Sequence, residues 1–244
     1  MTELADLPAP VASYPPRAEL PPHMHLWPYA AVILSGSYEE IGSAGRHRVS
    51  AGDVLIHGVF DAHRNRISAG GAQILNLALP ALPVSPRRAR LADPDLVARL
   101  AAHVSRQAAC QLLASLTDTD CTLADWPDAL AQALQDGYDG RLSDWAAAHH
   151  LAPATLSRGF ARVFGVTPAA FRWQARGRLA LRLIAAGEAA LAAIAAEAGF
   201  ADQAHMTRCV FALTGATPQS WHRQFRSRRA LQDAGPSGDA HAAP

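Results

Sequence analysis

An internal duplication constrains this chain more than any other feature of its sequence. Several residues recur unchanged fifty positions later, among them Arg158, Gly165, Thr167, Pro168 and Arg178, which return as Arg208, Gly215, Thr217, Pro218 and Arg228. Residues of similar character recur in the same register: Leu156, Ser157, Phe160 and Phe171 return as Met206, Thr207, Val210 and Trp221. A repeat of this period predicts that one structural unit is built twice.

The first copy predicts a helix-turn-helix unit over residues 142–164. Its second helix has Leu156 and Phe160 on one face at the 3.6-residue period, so these two side chains are expected to face inward. Arg158 then lies on the opposite face of that helix. Gly165 is expected to end it.

The second copy predicts the same unit over residues 191–214. Asp202 is a favourable N-cap for its second helix, Met206 and Val210 are expected to face inward, and Arg208 faces outward. The two units are joined by a predicted linker helix.

Charge is distributed unevenly along the chain. Residues 141–229 hold twelve arginines against four acidic residues, a net charge of +8, whereas residues 1–140 have a net charge of −5. A basic module behind an acidic one is expected when only one part of a chain meets a polyanion. Since arginine matches the guanine edge in the major groove, Arg158 and Arg208 are predicted to read bases. Other arginines are predicted to contact phosphates, namely Arg141, Arg172, Arg176, Arg178, Arg223, Arg226, Arg228 and Arg229.

The N-terminal part has a strand-like pattern. Short apolar runs separated by Gly- and Ser-bearing turns predict a β-sandwich or barrel, with strands at 29–34, 47–49, 53–57 and 72–79. Two of the predicted turns lie at 35–37 and 68–71. The proline-rich residues 1–22 predict a flexible arm.

Helical periodicity begins at residue 93. An apolar stripe predicts a helix to about residue 116, through Leu96, Leu100, Val104 and Leu112. A shorter helix is predicted over 123–135. The sequence does not choose between two roles for the stripe, which could pack on the strand domain or form a dimer seam.

These patterns together predict an α+β multidomain protein: a β-barrel followed by an all-α domain of two helix-turn-helix motifs and their linker helix. The expected segments are a flexible arm (1–22), a sensor domain (23–90), linker or dimerisation helices (91–137), a DNA-binding domain (138–229) and a disordered tail (230–244).

The C-terminal sequence resembles the DNA-binding domain of AraC/XylS-type transcriptional regulators over about a hundred residues. The resemblance lies in LAPATLSRGFARVFGVTPAAFRWQARGRLALRLIAAGE and IAAEAGFADQAHMTRCVFALTGATPQSW, above all in GFxDQxHxxR and TGxTPxxW. It implies two units, 142–164 and 191–214, that enter successive major grooves. The implied base-reading residues are Ala154, Thr155, Ser157, Arg158 and Arg162 in the first unit, and Gln203, Ala204, His205, Thr207 and Arg208 in the second.

Two departures from this family bear on DNA binding. Phe211 and Ala212 stand where members often carry basic residues, which weakens phosphate contacts by the second unit or replaces them with apolar contacts. Ala152 stands where a capping serine is common, so the first reading helix is expected to begin less firmly.

Histidines in the N-terminal part resemble the two motifs of the cupin barrel, which regulators of this family commonly carry as a sensor. In metal-binding cupins an HxH pair, a following Glu and a later His hold the metal. The candidates in this chain are His23, His25 and His63, with His57 as an extra ligand. Tyr29 and Ala30 occupy the Glu positions, so we favour a metal-free effector pocket at these four histidines over a metal centre.

No nucleophile, phosphate-loop or zinc-protease motif occurs, so no catalysis is predicted. Cysteine usage, the absence of a signal peptide and the absence of a long apolar run favour a cytoplasmic protein. The expected partners are double-stranded DNA, a small-molecule effector and RNA polymerase, with a homodimer as an open alternative and no membrane or cofactor. The leading interpretation is an effector-responsive, sequence-specific transcription factor. A cupin enzyme with a DNA-binding appendage and a non-specific DNA-compacting protein are the alternatives.

Overall fold

The computed structural model describes residues 3–5, 10–43, 45–79, 88–103, 105–118, 125–187 and 189–233. The chain divides into two compact units, Met1–Ala175 and Arg176–Pro244. No helix in the described ranges is both long and apolar enough to cross a lipid bilayer.

The first unit contains a sheet followed by helices. Its strands are β1 (Glu3–Ala5), β2 (Val11–Tyr14), β3 (Glu19–His25), β4 (Tyr29–Gly42), β5 (Gly45–Ser50), β6 (Asp53–His57), β7 (Ala62–Ala78), β8 (Arg88–Leu91) and β9 (Leu116–Asp118). Its helices are α1 (Pro94–Ala101), α2 (Ser105–Ser115), α3 (Trp126–Gln135), α4 (Leu142–Ala148) and α5 (Pro153–Phe164). Helix α6 (Pro168–Ala186) spans the boundary, and α7 (Leu191–Glu197), α8 (Gln203–Thr214) and α9 (Pro218–Asp233) lie in the second unit.

The strands pair in the order β1-β3-β7-β4-β6-β8-β9, while β2 pairs with β7 and β5 with β4. All pairings are antiparallel except that of β1 with β3. The expected barrel does not close, because the strands described here leave β1 and β9 at opposite ends of this order. The predicted class, a sheet domain followed by a helical domain, is confirmed.

The turns predicted at 35–37 and 68–71 are wrong. Both segments lie inside the long strands β4 and β7, which pair with each other across register shifts. Gly36 and Gly71 have φ of +74° and +73°, and a Cβ added to Gly36 would lie 2.0 Å from the carbonyl oxygen of Gly71. The glycines therefore permit a close approach of two neighbouring strands at an irregularity in their pairing, and neither strand reverses there.

The predicted arm, 1–22, is largely strand where the structure describes it. Val11 pairs with Leu75, and Leu20 pairs with Asn65, so β2 and β3 both extend the sheet along β7. The prolines at 21 and 22 fall where the register shifts, between Leu20 and His23. Proline is compatible with a strand at such an irregularity, and this explains why a proline-rich segment forms one.

Both faces of the sheet's central strands are buried, which explains the unbroken apolar runs 29–34 and 54–56. On one face, Val32, Val54 and Leu75 share a core with Val97 and Leu112 of α1 and α2. The apolar stripe of 93–116 therefore packs on the sheet. Of the predicted stripe, Leu96 is 36% exposed, and Val104 lies outside the described residues.

Helix α3 packs with the helices that follow it, and the predicted boundary between 137 and 138 is therefore not a structural one. Leu130 and Leu134 share a core with Trp145, Phe160 and Phe171. The sheet also extends beyond its predicted end at residue 90, since β9 pairs with β8. Of the predicted tail, residues 230–233 belong to α9 and the rest lies outside the described residues.

Candidate nucleic-acid interface and histidine cluster

The first helix-turn-helix unit consists of α4 and α5, as the sequence predicted. Trp145, Leu156 and Phe160 are buried beneath the two helices. Helix α5 ends at Gly165, whose left-handed φ of 76° lets the chain turn away. The hydroxyl of Thr167 then caps α6 by accepting a hydrogen bond from the backbone of Ala170 at 3.2 Å.

Helix α5 presents most of its predicted reading residues to solvent. Ala154, Thr155, Arg158 and Arg162 are exposed, and Ser157 is half-buried. No side chain caps the start of this helix at Ala152, in agreement with the departure noted in the sequence.

The second unit, α7 and α8, repeats this local geometry. Asp202 caps α8 by accepting a hydrogen bond from the backbone of His205 at 2.6 Å. Gly215 ends α8 with a φ of 73°, close to that of Gly165. Thr217 caps α9 by accepting from Ser220 at 3.2 Å, as Thr167 caps α6. The duplication in sequence therefore extends to the glycines that end the reading helices and to the threonine caps that follow them.

The face of α8 is less uniformly exposed. Gln203, Ala204 and Arg208 are exposed, whereas His205 and Thr207 are half-buried. The hydroxyl of Thr207 donates to the carbonyl oxygen of Gln203 at 2.9 Å. Arg208 is the one arginine among the predicted reading residues of α8. Helix α5 has two, Arg158 and Arg162.

Four predicted histidines of the sheet domain lie together. His23 and His25 come from β3, His57 from the end of β6 and His63 from the start of β7. The ring of His63 lies 4.4 Å from that of His23, 4.5 Å from that of His57 and 5.6 Å from that of His25, measured between centroids. His25, His57 and His63 are buried, and His23 is half-buried.

A carboxylate that the sequence analysis missed joins this cluster. Glu40 is only 3% exposed, and its Oε2 atom lies 3.7 Å from Nε2 of His57. The pattern of β4 carried a signal for it, because Tyr38 and Glu40 share a face at the two-residue period of a strand. Tyr29, at the position expected for a glutamate, instead stacks on His57 with the ring centroids 4.5 Å apart.

The cluster contains two overlapping groups of three residues that could hold a metal ion. We call Glu40, His57 and His63 the inner trio, and His23, His25 and His63 the outer trio. Within each group, one potential ligand atom per residue lies within 4.8 Å of the others. Both groups therefore have the spacing and the donor types of a metal site.

Burial and the neighbouring His57, His23 and His25 lower the pKa of His63 well below 6.5. The imidazole is therefore neutral at pH 7, with one nitrogen lone pair free to accept a proton, a hydrogen bond or a metal ion. Its Nε2 lies 3.4 Å from the hydroxyl of Tyr29. Its Nδ1 is buried and forms no hydrogen bond to any described residue.

A separate cavity of about 270 Å³ borders β3, β4 and β7. Leu20, Ile41, Arg64 and Asn65 are among its lining residues, and none of the four histidines lines it. The histidines are thus packed against one another rather than arranged around this cavity.

Residues 145–224 match the sequence profile described as a helix-turn-helix domain. This region is a helix-turn-helix domain of the AraC type. The profile covers both units, from Trp145 in α4 to residue 224 in α9.

Among the solved structures similar to this chain are those of ToxT, AraT and AdpA. ToxT from Vibrio cholerae strain SCE256, solved with an unsaturated fatty acid, is 12% identical over 87% of this chain and 93% of its own, at a TM-score of 0.42. The C-terminal domain of AraT, a response regulator from Geobacillus stearothermophilus, is 21% identical over 42% of this chain and 87% of its own, at a TM-score of 0.39. The DNA-binding domain of AdpA, solved with a target DNA, is 21% identical over 44% of this chain and 98% of its own, at 0.40. No curated protein matches the sequence.

The arginines that flank the reading helices of the helix-turn-helix domain divide into exposed and engaged side chains. Arg141, Arg223 and Arg226 are exposed, as phosphate contacts require. Arg172 is half-buried and donates at 3.1 Å to the carbonyl oxygens of both Asp139 and Gly140. Arg176 is half-buried, and the side chains of Arg228 and Arg229 lie outside the described residues.

The phosphate role predicted for Arg178 is wrong. Its side chain is 3% exposed, on a face of α6 that also buries Leu181 and Ile184. The sequence held the signal, because a residue three positions before a buried leucine lies on nearly the same side of a helix. Arg178 therefore belongs to the interior of the compact unit Arg176–Pro244 and not to the DNA-facing surface of the helix-turn-helix domain.

Proposed function

We propose that this protein is a sequence-specific, DNA-binding transcription regulator whose N-terminal sheet domain responds to an effector. The observation that carries the proposal is the pair of exposed arginines, Arg158 and Arg208, at equivalent positions of two helices of equal length that end alike. Both helices lie within the AraC-type helix-turn-helix domain.

The two arginines support reading of bases rather than general attraction to DNA. A recognition helix contacts base edges through the side chains opposite its packed stripe, and arginine can form two hydrogen bonds to guanine. The exposed arginines outside the reading helices, Arg141, Arg223 and Arg226, supply the phosphate contacts that set salt-dependent affinity.

Contacts between the sheet and the helices of the compact unit Met1–Ala175 support a response to an effector. The guanidinium of Arg46 on β5 forms ion pairs with Asp125 at 3.0 Å and with the buried Asp128 of α3 at 2.8 Å. Helix α3 shares a core with α5. A ligand that binds more tightly to one arrangement of the sheet can therefore change the position or stability of the first reading helix.

RNA polymerase is the expected protein partner under this proposal, and the cytoplasm is the expected location. The proposed function requires no catalysis. An effector acts by changing the affinity for DNA, whichever sign that change has.

The proposal is tested by selecting bound duplexes from a random DNA library with the purified full-length protein. The expected result is enrichment of two short blocks about one helical turn apart. Arg158→Ala should relax the preference at one position of one block, and Arg208→Ala at one position of the other, each with a loss of about 1–3 kcal/mol at the selected site.

Arg223→Ala is the matched control, since this exposed arginine lies on α9 outside both reading helices. It should weaken binding to all sequences alike and leave both blocks unchanged. Folded protein that enriches no sequence, or an Arg158→Ala variant with the parent's preferences at every position, contradicts the proposal.

A further inference from the structure

We propose that the inner trio, Glu40, His57 and His63, binds a divalent first-row transition metal ion. All three side chains are 3–4% exposed. They come from β4, β6 and β7, and their potential ligand atoms lie within 4.8 Å of one another. The geometry thus brings two imidazoles and one carboxylate to a single buried point.

The spacing and chemistry of the donors fit such an ion. Two ligand atoms that are each about 2.1 Å from a tetrahedral metal ion stand about 3.4 Å apart. The separation of Nε2 in His57 and Oε2 in Glu40 is 3.7 Å, which small side-chain rotations would close. Imidazole nitrogens combined with a carboxylate oxygen favour zinc, iron, cobalt or nickel over magnesium or calcium.

The unsatisfied nitrogen of His63 is a second observation that points to a ligand. A buried polar atom without a hydrogen bond destabilises a fold, and natural proteins contain few of them. Nδ1 of His63 is such an atom among the residues that the structure describes. A metal ion bound there would accept its lone pair, while Nε2 faces the hydroxyl of Tyr29 at 3.4 Å.

A residue outside the trio holds the carboxylate in place. The Asn65 amide, oriented so that its nitrogen faces acceptors, donates to Oε2 of Glu40 at 3.3 Å and to the carbonyl oxygen of Arg64 at 2.9 Å. Hydrogen bonds of this kind orient metal ligands, and their loss weakens metal binding.

Charge favours the inner trio over the outer one. The outer trio contains only neutral donors, so a buried divalent ion would keep its full charge there. Glu40 compensates part of that charge in the inner trio. The sequence motif lacks a carboxylate because Tyr29 and Ala30 occupy the Glu positions, and Glu40 supplies one from β4.

This inference deepens the proposed function, because it names the effector class, and it rests on that function only for the regulatory consequence. The metal-binding test contains no DNA, so its failure is distinguishable from a failure of sequence-specific binding. If the inner trio binds metal and the protein selects DNA, adding Zn²⁺ during the DNA titration should change the affinity for the selected site.

The test uses untagged full-length protein that has been treated with a chelator and then titrated with Co²⁺, followed by competition with Zn²⁺. We expect one Co²⁺ per chain, with visible absorption bands typical of a low coordination number. Glu40→Gln and His57→Gln should each lower the affinity by at least about tenfold. His103→Gln is the control, since His103 is an exposed histidine that belongs to neither trio, and its Co²⁺ affinity should equal that of the parent.

Two outcomes overturn the proposal: no stoichiometric Co²⁺ in the folded protein, or parental affinity in Glu40→Gln. The second of these can be accompanied by loss of binding in His23→Gln. The last result would assign the metal to the outer trio. If Glu40→Gln fails to fold, Asn65→Ala decides the question, because it removes the bond that orients Glu40. About tenfold weaker binding in that variant supports the inner trio, and unchanged binding contradicts it.

Discussion

Nη2 of Arg64 donates a hydrogen bond to the carbonyl oxygen of Val163 at 2.8 Å. Arg64 lies on β7 between His63 and Asn65, and successive side chains of a strand point to opposite faces. Val163 lies in the last turn of α5, where carbonyl oxygens lack partners within the helix and attract cations. The strand that carries part of the histidine cluster is therefore bonded directly to the end of the first reading helix.

Replacing Arg64 should loosen the end of α5. We expect Arg64→Ala to lower the free energy of unfolding by about 1–2 kcal/mol, because a hydrogen bond from a charged donor is lost. Amide hydrogens at the end of α5 should exchange faster, which hydrogen-exchange mass spectrometry measures peptide by peptide.

Arg66→Ala is the control for this change. Arg66 is the next arginine of β7, is exposed, and forms an ion pair with the exposed Glu19 at 3.2 Å. Such a surface pair contributes little, so stability and exchange in α5 should both stay near those of the parent. Equal exchange rates in the two variants would show that the bond to Val163 does not hold the helix end.

The close approach of the paired strands β4 and β7 should not tolerate a side chain at Gly36. A Cβ there would meet the backbone of Gly71 at 2.0 Å, and φ is +74°. We expect Gly36→Ala to lower the free energy of unfolding by about 3 kcal/mol or more, since backbone strain and a steric clash act together. Urea denaturation followed by circular dichroism measures the change.

Gly70→Ala provides the comparison on the same strand. No atom lies within 4 Å of a Cβ built at Gly70. Its stability should stay within about 0.5 kcal/mol of the parent, as for most surface substitutions. A Gly36→Ala variant as stable as Gly70→Ala would mean that the backbones of β4 and β7 do not approach closely at Gly36.

The helical half of the fold was predictable because its signals are local. Caps such as Asp202 and terminators such as Gly165 and Gly215 act within a few residues, so the sequence places both helix-turn-helix units within a residue or two. The duplication strengthens each of these signals by repeating it.

The sheet was less predictable because its signals are non-local. The sequence predicted turns at Gly36 and Gly71. Only the pairing of β4 with β7 shows that these glycines instead let the two strands approach closely. Glu40 escaped notice for the same reason: its neighbours in the cluster, His57 and His63, are brought to it by other strands. A motif that expects its ligand at a given spacing cannot find one that arrives through strand pairing.

The burial of Arg178 predicts a contribution of this side chain to the stability of the compact unit Arg176–Pro244. Arg178→Ala should lower the free energy of unfolding by about 2–4 kcal/mol, because it removes a buried charged group together with its packing. In protein that remains folded, the dependence of DNA affinity on salt should match that of the parent. Chemical denaturation and DNA titrations at several salt concentrations measure the two quantities.

Arg226→Ala should show the opposite behaviour, since this arginine is exposed on α9. Its stability should be unchanged within about 0.5 kcal/mol, and the salt slope of its DNA affinity should fall by about 1. If instead Arg178→Ala lowers the salt slope and leaves stability intact, Arg178 contacts phosphate and must leave the interior to do so.

Cys209 is buried in the same compact unit, and its burial predicts slow reaction with alkylating agents. Burial raises the pKa of the Cys209 thiol from 9.0 to about 12, although the nearby Arg178 and the backbone of Gly177 act to lower it. Cys110 is exposed. Because only the thiolate attacks alkylating agents, we expect iodoacetamide at pH 8 to modify Cys110 at least about a hundredfold faster than Cys209 in the folded protein. Peptide mass spectrometry follows both sites, and the two rates should converge in denaturant. Comparable rates without denaturant would show that the second unit opens at Cys209 on the timescale of the reaction.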